Sequence, residues 1–169
     1  AINREQFKDF TLPFPPHLHQ EQAFNRLTGK TAQSTIIATG TGSGKTECFM
    51  YPVLDYCLQN RDKPGLKAII IYPMNALAND QARRFAKTIF EEEAFKSKIT
   101  VGLYVGEKRG EAGSVVMGAE KVITDRETLR KKPPDILLTN YKMLDYLLIR
   151  PADYPLWSKN EGTDTLKYL

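Results

Sequence analysis

Cysteine, tryptophan and long apolar runs are all scarce in this sequence of 169 residues. Its two cysteines, Cys48 and Cys57, lie nine positions apart. This spacing gives neither a zinc-binding pattern nor a disulfide framework, and it suits a reducing, cytoplasmic compartment. No apolar run approaches the roughly 18 residues that a membrane-spanning helix needs, and no signal peptide pattern is recognisable. We therefore expect neither a membrane protein nor a secreted disulfide scaffold.

The composition is that of an ordinary globular domain. Hydrophobic residues make up 41% and charged residues 26% of the chain, which excludes a disordered tail and a collagen. The length suits one domain of roughly 100–200 residues with a core of its own. The 24 Lys and Arg exceed the 20 Asp and Glu, giving a net charge of +4. This excess is compatible with nucleic acid as a partner but does not require it.

Short apolar runs alternate with longer helical patterns along the chain. The runs are apolar at successive positions, which is typical of strands that are covered on both faces. Strands that alternate with helices in this way predict an α/β fold with a parallel sheet, helices on both faces and right-handed crossovers. The predicted strands are 35–39, 68–72, 99–105 and 135–139, and the predicted helices between them are 45–59, 76–90 and 140–149.

The two ends of the chain have different patterns. Residues 1–16 finish in a cluster of three prolines, which cannot propagate a helix. We interpret them as an extended lead-in to a domain over 17–169 that begins with a helix stopping near Gly29. Residues 166–169 (LKYL) resemble the opening of a further buried strand. Because a domain rarely ends where a buried strand starts, we expect a truncated domain.

A glycine-rich segment lies between the first predicted strand and the next helix. It has the sequence TGTGSGKT over 39–46 and resembles the Walker A motif, with threonine at a first position where glycine or alanine is more common. Glycines let backbone N–H groups point at phosphate oxygens, and the helix N-terminus adds positive potential. Lys45 is expected to reach the β- and γ-phosphates, and the Thr46 hydroxyl to coordinate Mg²⁺. The candidate nucleotide-binding residues are Thr39, Gly40, Thr41, Gly42, Ser43, Gly44, Lys45 and Thr46, of which Lys45 and Thr46 are also the candidate catalytic residues.

Gln20 precedes this loop by about twenty residues, in the segment FPPHLHQEQAF. Its side-chain amide offers one donor and one acceptor, which match the edge of adenine. We interpret Gln20 as an adenine contact, with an exposed helical glutamine as the alternative. His17 and His19 do not share a helix face and have no third ligand nearby. A role at the start of the helix is therefore favoured for them over a metal site.

The order of these segments resembles that of superfamily-2 helicases of the DEAD/DEAH-box type. Gln20, the loop, YPMNALANDQARRF (72–85) and DILLTNYKML (135–144) match the Q motif and motifs I, Ia and Ib, over nearly the whole chain. The forms IYPMNALANDQ and TNYKMLDYLLIRP look most like those of Lhr-like DNA helicases, a group with repair and phage-defence members. The resemblance implies a three-layer, RecA-like P-loop NTPase fold that uses ATP and Mg²⁺.

The resemblance also implies a set of contacts to nucleic acid. In this family, motifs Ia and Ib and a glycine pair grip the sugar–phosphate backbone, a role that suits backbone N–H groups at helix N-termini. The matching residues here are Pro73, Met74, Asn75 and Gln81 in motif Ia, Gly106 in the glycine region, and Thr139, Asn140 and Tyr141 in motif Ib. Asn75 is also expected to cap the helix that follows it. The helical spacing assigns Leu77, Ala78, Phe85 and Ala86 to the core. It also assigns Met143, Leu144, Leu147 and Leu148 to the core.

The charged stretch 125–132 permits two interpretations. It carries four cations against two carboxylates, which is compatible with a contact to nucleic acid. A solvated face is the simpler interpretation, because most charge runs contribute little beyond solubility.

Several motifs of the resembled family have no match within 1–169. These are motif II with its Asp-Glu pair, motif III, and the second RecA-like domain with its arginine finger. We therefore interpret the chain as the ATP-binding portion of an ATP-dependent helicase or translocase, with DNA favoured as substrate. Without these motifs, we expect the chain by itself not to hydrolyse ATP. The alternatives are a DEAD-box-type RNA helicase and a P-loop nucleotide switch that moves nothing. No residue here reports on the 2′-OH that separates RNA from DNA.

Overall fold

The computed structural model describes residues 7–29, 32–106 and 112–169. Its contacts divide the chain into two compact units, Ala1–Gln59 and Asn60–Leu169. Within the described ranges, every helix is too short or too polar to cross a bilayer.

The first unit is built on two helices that pack together, α1 (Leu18–Leu27) and α2 (Lys45–Gln59). Residues 7–16 form neither helix nor strand, but the side chains of Phe7 and Phe10 are buried. The ring of Phe7 stacks on Phe10 with centroids 4.7 Å apart and meets Phe24 of α1 edge-on at 5.2 Å. Phe10 also stacks on Tyr51 of α2 at 6.0 Å. The described part of the lead-in thus belongs to the hydrophobic core of this unit.

The second unit contains a parallel sheet of three strands. In chain order its elements are β1 (Ala68–Tyr72), α3 (Asn75–Glu91), β2 (Val101–Tyr104), α4 (Arg126–Lys131), β3 (Ile136–Asn140), α5 (Tyr141–Ile149), a 3₁₀ turn (Pro151–Asp153) and α6 (Tyr154–Ser158). The strand order is β1-β3-β2, and Ile70 and Leu103 both lie level with Leu138. The predicted α/β class and parallel sheet are confirmed.

Helices cover both faces of this sheet. On one face, Ile69 and Leu137 pack in a buried cluster with Leu129 of α4, Leu147 of α5 and Leu156 of α6. Side chains alternate along a strand, so the opposite face is formed by the neighbouring strand residues. Of these, Ala68, Ile136 and Leu138 are buried. Helix α3 packs against all three strands there and buries Ala78, Ala82, Phe85, Ala86 and Ile89. The layered arrangement expected from the sequence is confirmed.

The segment 166–169 begins to pair with the outer edge of β1. Tyr168 forms an isolated parallel bridge with Ala68. The Ile69 N–H donates to the Tyr168 carbonyl at 3.0 Å, and the Lys167 N–H donates to the Lys67 carbonyl at 3.0 Å. The segment therefore pairs with the sheet as expected, but through an isolated bridge rather than a full strand.

The predicted strand over 35–39 is wrong. Residues 32–39 have no regular secondary structure, and Ile36 is 96% exposed. A strand exists only where its N–H and C=O groups pair with a neighbour. Among the described residues, the ladders join only β1, β3 and β2. The apolar, β-branched composition of 35–39 therefore indicates a propensity that these residues do not satisfy by pairing.

A buried ion pair ties together the starts of the three strands. The Lys67 Nζ lies 2.8 Å from Asp135 Oδ1, and the two side chains are 3% and 12% exposed. Asp135 Oδ2 accepts from the Thr100 N–H at 2.7 Å and from its hydroxyl at 2.8 Å. Both oxygens of this carboxylate are thus occupied at the amino-terminal edge of the sheet, opposite the carboxyl ends of the strands.

We expect Asp135→Asn to lower the free energy of unfolding by about 3–5 kcal/mol, because it leaves the Lys67 charge buried without its partner. The measurement is urea denaturation of the purified chain. Glu127→Gln is the matched control, since it breaks an exposed pair with Lys131 that is worth about 0–1 kcal/mol. If Asp135→Asn and Glu127→Gln lowered the urea midpoint equally, burial of the Lys67–Asp135 pair would not be the cause of its effect on stability.

Candidate nucleotide site and nucleic-acid surface

The glycine-rich loop leads directly into α2, whose first residue is Lys45. Gly42 and Gly44 have φ angles of 76° and 77°, a left-handed backbone that glycine adopts without strain. A Cβ atom at Gly44 would also collide with the side-chain amide of Gln20. The glycines at these two positions are therefore required by the local geometry.

Lys45 and the hydroxyl side chains close the loop on itself. The Lys45 ammonium donates to the carbonyls of Thr39 at 2.9 Å and Gly40 at 2.6 Å. The Ser43 hydroxyl donates to the Gly40 carbonyl at 2.8 Å and lies 2.7 Å from the Thr39 hydroxyl. This last contact gives the unusual threonine at the first motif position a function, because glycine or alanine could not make it.

The chemistry of this loop fits a nucleoside triphosphate with its Mg²⁺. Helix α2 is 15 residues long, so its first backbone N–H groups carry the partial positive charge of a full helix N-terminus. The Lys45 ammonium adds a full positive charge at the same place, and the Thr46 hydroxyl follows it in the first turn. These are the donors that phosphate oxygens require and the hydroxyl ligand that Mg²⁺ accepts.

Gln20 is placed against this loop from α1. Its side chain is 2% exposed; Oε1 accepts from the His17 N–H at 2.8 Å, and Nε2 donates to the Gly44 carbonyl at 3.1 Å. His19 makes a parallel contact, with Nε2 lying 2.8 Å from the Ser43 carbonyl. The structure thus brings Gln20 to the loop, where its amide joins the helix start to the loop backbone.

The contact of His19 with the loop could not be found from the sequence. Its partner lies 24 positions away along the chain, and nothing in the residue types indicates the pairing. The position of His17 before the first residue of α1 agrees with the expected role at the helix start.

At the carboxyl ends of the strands, residues from three predicted motifs come together. The Asn140 Nδ2 donates to Asn75 Oδ1 at 2.6 Å, while Asn140 Oδ1 accepts from the Met143 N–H and caps α5. A Cβ atom at Gly106 would lie 3.6 Å from the Asn75 amide nitrogen. The expected capping by Asn75 is wrong, because α3 begins at Asn75 itself and its cap position is Met74. The Asn75 side chain instead accepts the hydrogen bond from Asn140.

The remaining predicted contacts differ in accessibility. Pro73 is exposed, and Met74 and Tyr141 are 57% and 59% exposed. Thr139 is fully buried, and its hydroxyl donates to the Tyr104 carbonyl at 2.7 Å. Its side chain therefore serves the sheet rather than the surface. In the part of the chain that the structure describes, the buried Oε1 of Gln81 has no hydrogen-bond partner.

The charged stretch 125–132 is not simply a solvated face. Asp125 caps α4 by accepting from the Thr128 N–H at 2.7 Å, and Thr128 holds the pKa of this carboxyl below its ordinary value. Lys131 pairs with Glu127 on the exposed side of the helix. Arg126 and Arg130 instead contact residues at the end of β2 and after α5. The solvated interpretation holds for this pair and for the exposed Lys132, but not for the two arginines.

The second unit is of the α/β class with a parallel sheet, and the first unit holds a glycine-rich loop of Walker A sequence at a helix N-terminus. The sequence model of the DEAD/DEAH box helicase family matches residues 17–169. Because this match spans most of the sequence, the chain belongs to the DEAD/DEAH box helicase family, and the resemblance to superfamily-2 helicases is confirmed.

Two curated proteins illustrate the relationship. The Druantia protein DruE of Escherichia coli strain UMEA 4076-1 is 26% identical over 234 aligned residues, which cover 86% of this chain and 13% of DruE. The uncharacterized ATP-dependent helicase MJ1574 of Methanocaldococcus jannaschii is 34% identical over 146 residues, which cover 86% of this chain and 19% of MJ1574. The chain thus spans less than a fifth of the length of either relative.

Proposed function

We propose that the chain is the ATP-binding portion of an ATP-dependent helicase or translocase that acts on DNA. The observation that carries this proposal is Lys45 at the first position of α2, within a glycine loop of a DEAD/DEAH box family member. The backbone of 39–46 and the Lys45 ammonium hold the triphosphate, and the Thr46 hydroxyl holds Mg²⁺. When bound, the metal neutralises charge that develops on the β- and γ-phosphate oxygens.

In this proposal, Lys45 exchanges its partners when a nucleotide binds. Its ammonium leaves the carbonyls of Thr39 and Gly40 for phosphate oxygens, which form stronger, charge-assisted hydrogen bonds. The loop backbone is already held by Ser43 and by Gln20. The exchange therefore needs a movement of one long, flexible side chain rather than a rearrangement of the loop.

We further propose that Gln20 contacts adenine as well as the Gly44 carbonyl. Gln20→Ala is expected to weaken ATP binding and to narrow the preference for ATP over GTP, because GTP reverses the donor and acceptor order at the base edge. The measurement is competition of the two nucleotides for the full-length protein. Gln22→Ala, a neighbouring glutamine on α1, is the matched control. If Gln20→Ala weakened the binding of ATP and of GTP equally, Gln20 would only hold the loop and would not contact the base.

The proposed nucleic-acid surface lies at the carboxyl ends of β1, β2 and β3. Ligands of open parallel sheets bind at this edge, and the first residues of α3 and α5 present their N–H groups there. The Asn75–Asn140 hydrogen bond supports a shared surface for the motif Ia and Ib residues. The proposed contacts are Pro73, Met74, Asn75, Gln81, Gly106, Thr139, Asn140 and Tyr141, with Thr139 contributing only backbone because its side chain is buried.

The proposal includes a second RecA-like domain, elsewhere in the full-length protein, that closes on the nucleotide and supplies the arginine finger. Alternate closure and opening of the two domains would move the protein along one strand. Cys48 and Cys57 are buried and form no disulfide with each other, which suits a reducing compartment, so the proposed location is the cytoplasm.

The preference for DNA rests on the likeness of motifs Ia and Ib to those of Lhr-like DNA helicases. Its test is ATP turnover by the full-length protein in the presence of single-stranded DNA or of RNA with the same sequence. We expect DNA to stimulate turnover more strongly. Stronger stimulation by RNA would favour the DEAD-box-type alternative, and no stimulation by either strand would favour a nucleotide switch.

A further inference from the structure

A cavity of about 220 Å³ lies at the carboxyl end of β2, within the second unit. Its lining includes Asn75 and Gly106, two of the proposed nucleic-acid contacts, together with Tyr104, Asp125 and Arg126. The Asp125 carboxylate is engaged at the N-terminus of α4. Arg126 therefore supplies a positive charge directly beside the proposed path of the strand.

The guanidinium group of Arg126 contacts an aromatic ring and a backbone carbonyl. Its central carbon lies 5.1 Å from the centroid of the Tyr104 ring, a distance at which the ring face attracts the cation. One of its Nη atoms donates to the Val105 carbonyl at 3.2 Å. Together these contacts restrict the plane of the guanidinium, so less conformational freedom is lost when the group binds an anion.

Tyr104 is in turn fixed from the opposite end of its ring. Its hydroxyl donates to Asp153 Oδ1 at 2.7 Å and accepts from Arg130 at 2.9 Å. Asp153 is fully buried and forms ion pairs with Arg130 at 2.7 Å and Arg150 at 2.6 Å. Burial raises the pKa of Asp153, but hydrogen bonds from Tyr104, Arg130 and Arg150 outweigh it and hold the pKa below its ordinary value. The anchor of the ring is thus an ionised carboxylate.

We propose that Arg126 binds a backbone phosphate of the nucleic acid and that Tyr104 is the residue that positions its guanidinium. This inference rests on the proposed function, since it adds a contact to the same surface. It is favoured because the planar fork of arginine matches phosphate oxygens. The Asp153 carboxylate is already paired with Arg130 and Arg150, whereas Arg126 lies against the Tyr104 ring, so this network holds three guanidinium groups and one carboxylate. Counted with Asp125, these groups carry three positive and two negative charges, so the network behind the cavity is positive overall.

The test is the salt dependence of single-stranded DNA binding by the full-length protein. Each phosphate contact contributes a slope of about 0.7 to the plot of log affinity against log salt concentration. Arg126→Gln should reduce the slope by about 0.7. Each tenfold dilution of salt should then increase the affinity of the variant by a factor about fivefold smaller than that of the wild type. Lys131→Gln, on the exposed side of the same helix and paired with Glu127, should leave the slope unchanged.

The variant Tyr104→Leu distinguishes the positioning role of the Tyr104 ring from the charge of Arg126. It removes the ring without altering any charge, so a reduced slope in this variant supports the positioning role. Thermal unfolding of each variant shows whether the fold is retained, and Arg126→Gln alone decides the proposal if Tyr104→Leu does not fold. An unchanged slope in a folded Arg126→Gln protein would overturn this inference while leaving the proposed function intact. Failure of the wild-type protein to bind DNA at all would overturn the proposed function itself.

Discussion

Lys45→Ala is expected to abolish ATP turnover by the full-length protein while leaving its fold intact. The Lys45 ammonium donates to the loop carbonyls of Thr39 and Gly40, so its loss removes charge at the phosphates rather than packing in the core. Removal of a single group that stabilises developing negative charge costs about 10²–10³ in rate, and a full positive charge at the transferred phosphate should cost at least as much.

The matched control for Lys45→Ala is Lys87→Ala. Lys87 lies on the exposed side of α3 and pairs with Glu91 at 3.7 Å. We expect this control to retain wild-type turnover. Thermal unfolding should show equal midpoints for both variants. Retention of turnover within about twofold by Lys45→Ala would contradict the Walker A assignment, since loss of a phosphate-binding lysine should lower the turnover rate far more.

The 169-residue chain by itself is expected to show no ATP turnover. The loop and Lys45 can hold a triphosphate, and Thr46 can take one side of Mg²⁺. Phosphoryl transfer also requires a carboxylate on the metal, a group that positions water and a cation that meets the developing charge. The resembled helicases draw these from motif II and from the second RecA-like domain. Absence of the arginine finger alone costs on the order of 10³–10⁵ in rate.

The measurement is an ATPase assay on the purified chain, with and without single-stranded DNA. Circular dichroism first establishes that the chain is folded under the assay conditions. Lys45→Ala in the same chain supplies the background rate. Turnover above that background would contradict the expectation and would mean that a hydrolytic carboxylate lies among residues of 1–169 that we interpret as surface.

The sheet of the second unit was largely predictable, because its strands are marked by local composition. Residues 68–72 and 135–139 are continuous apolar runs, and the observed strands lie within one residue of them. The run 35–39 has the same composition but no ladder among the described residues. Pairing is a property of two segments, so the composition of one cannot determine it.

Helical spacing identified core faces less reliably at their edges. Ala78, Phe85 and Ala86 are buried as expected, and Leu147 is buried in the core of α5. The spacing also assigns Leu77 and Leu148 to the core, but both side chains are exposed. A helix buries a stripe whose width depends on the elements packed against it, and that width cannot be read from spacing alone.

The phosphate loop was predictable because its requirements are local. Glycines with positive φ and a lysine at the helix start follow one another within eight residues. The network around Asp153 was not predictable from the sequence, since its partner Tyr104 lies 49 positions away along the chain. In the sequence, Arg126 and Arg130 appear only as members of a charge run. Their different partners depend on tertiary packing that no spacing rule encodes.

The measurement that tests the central claim most directly is ATP turnover by the full-length protein during a titration with single-stranded DNA. The account predicts a saturable increase in turnover, and a higher DNA concentration for half-maximal stimulation in Asn140→Ala, which removes a hydrogen bond at the proposed surface. Turnover that is independent of DNA at all concentrations, in a protein that hydrolyses ATP, would contradict the claim that this chain couples a nucleotide site to a nucleic-acid surface.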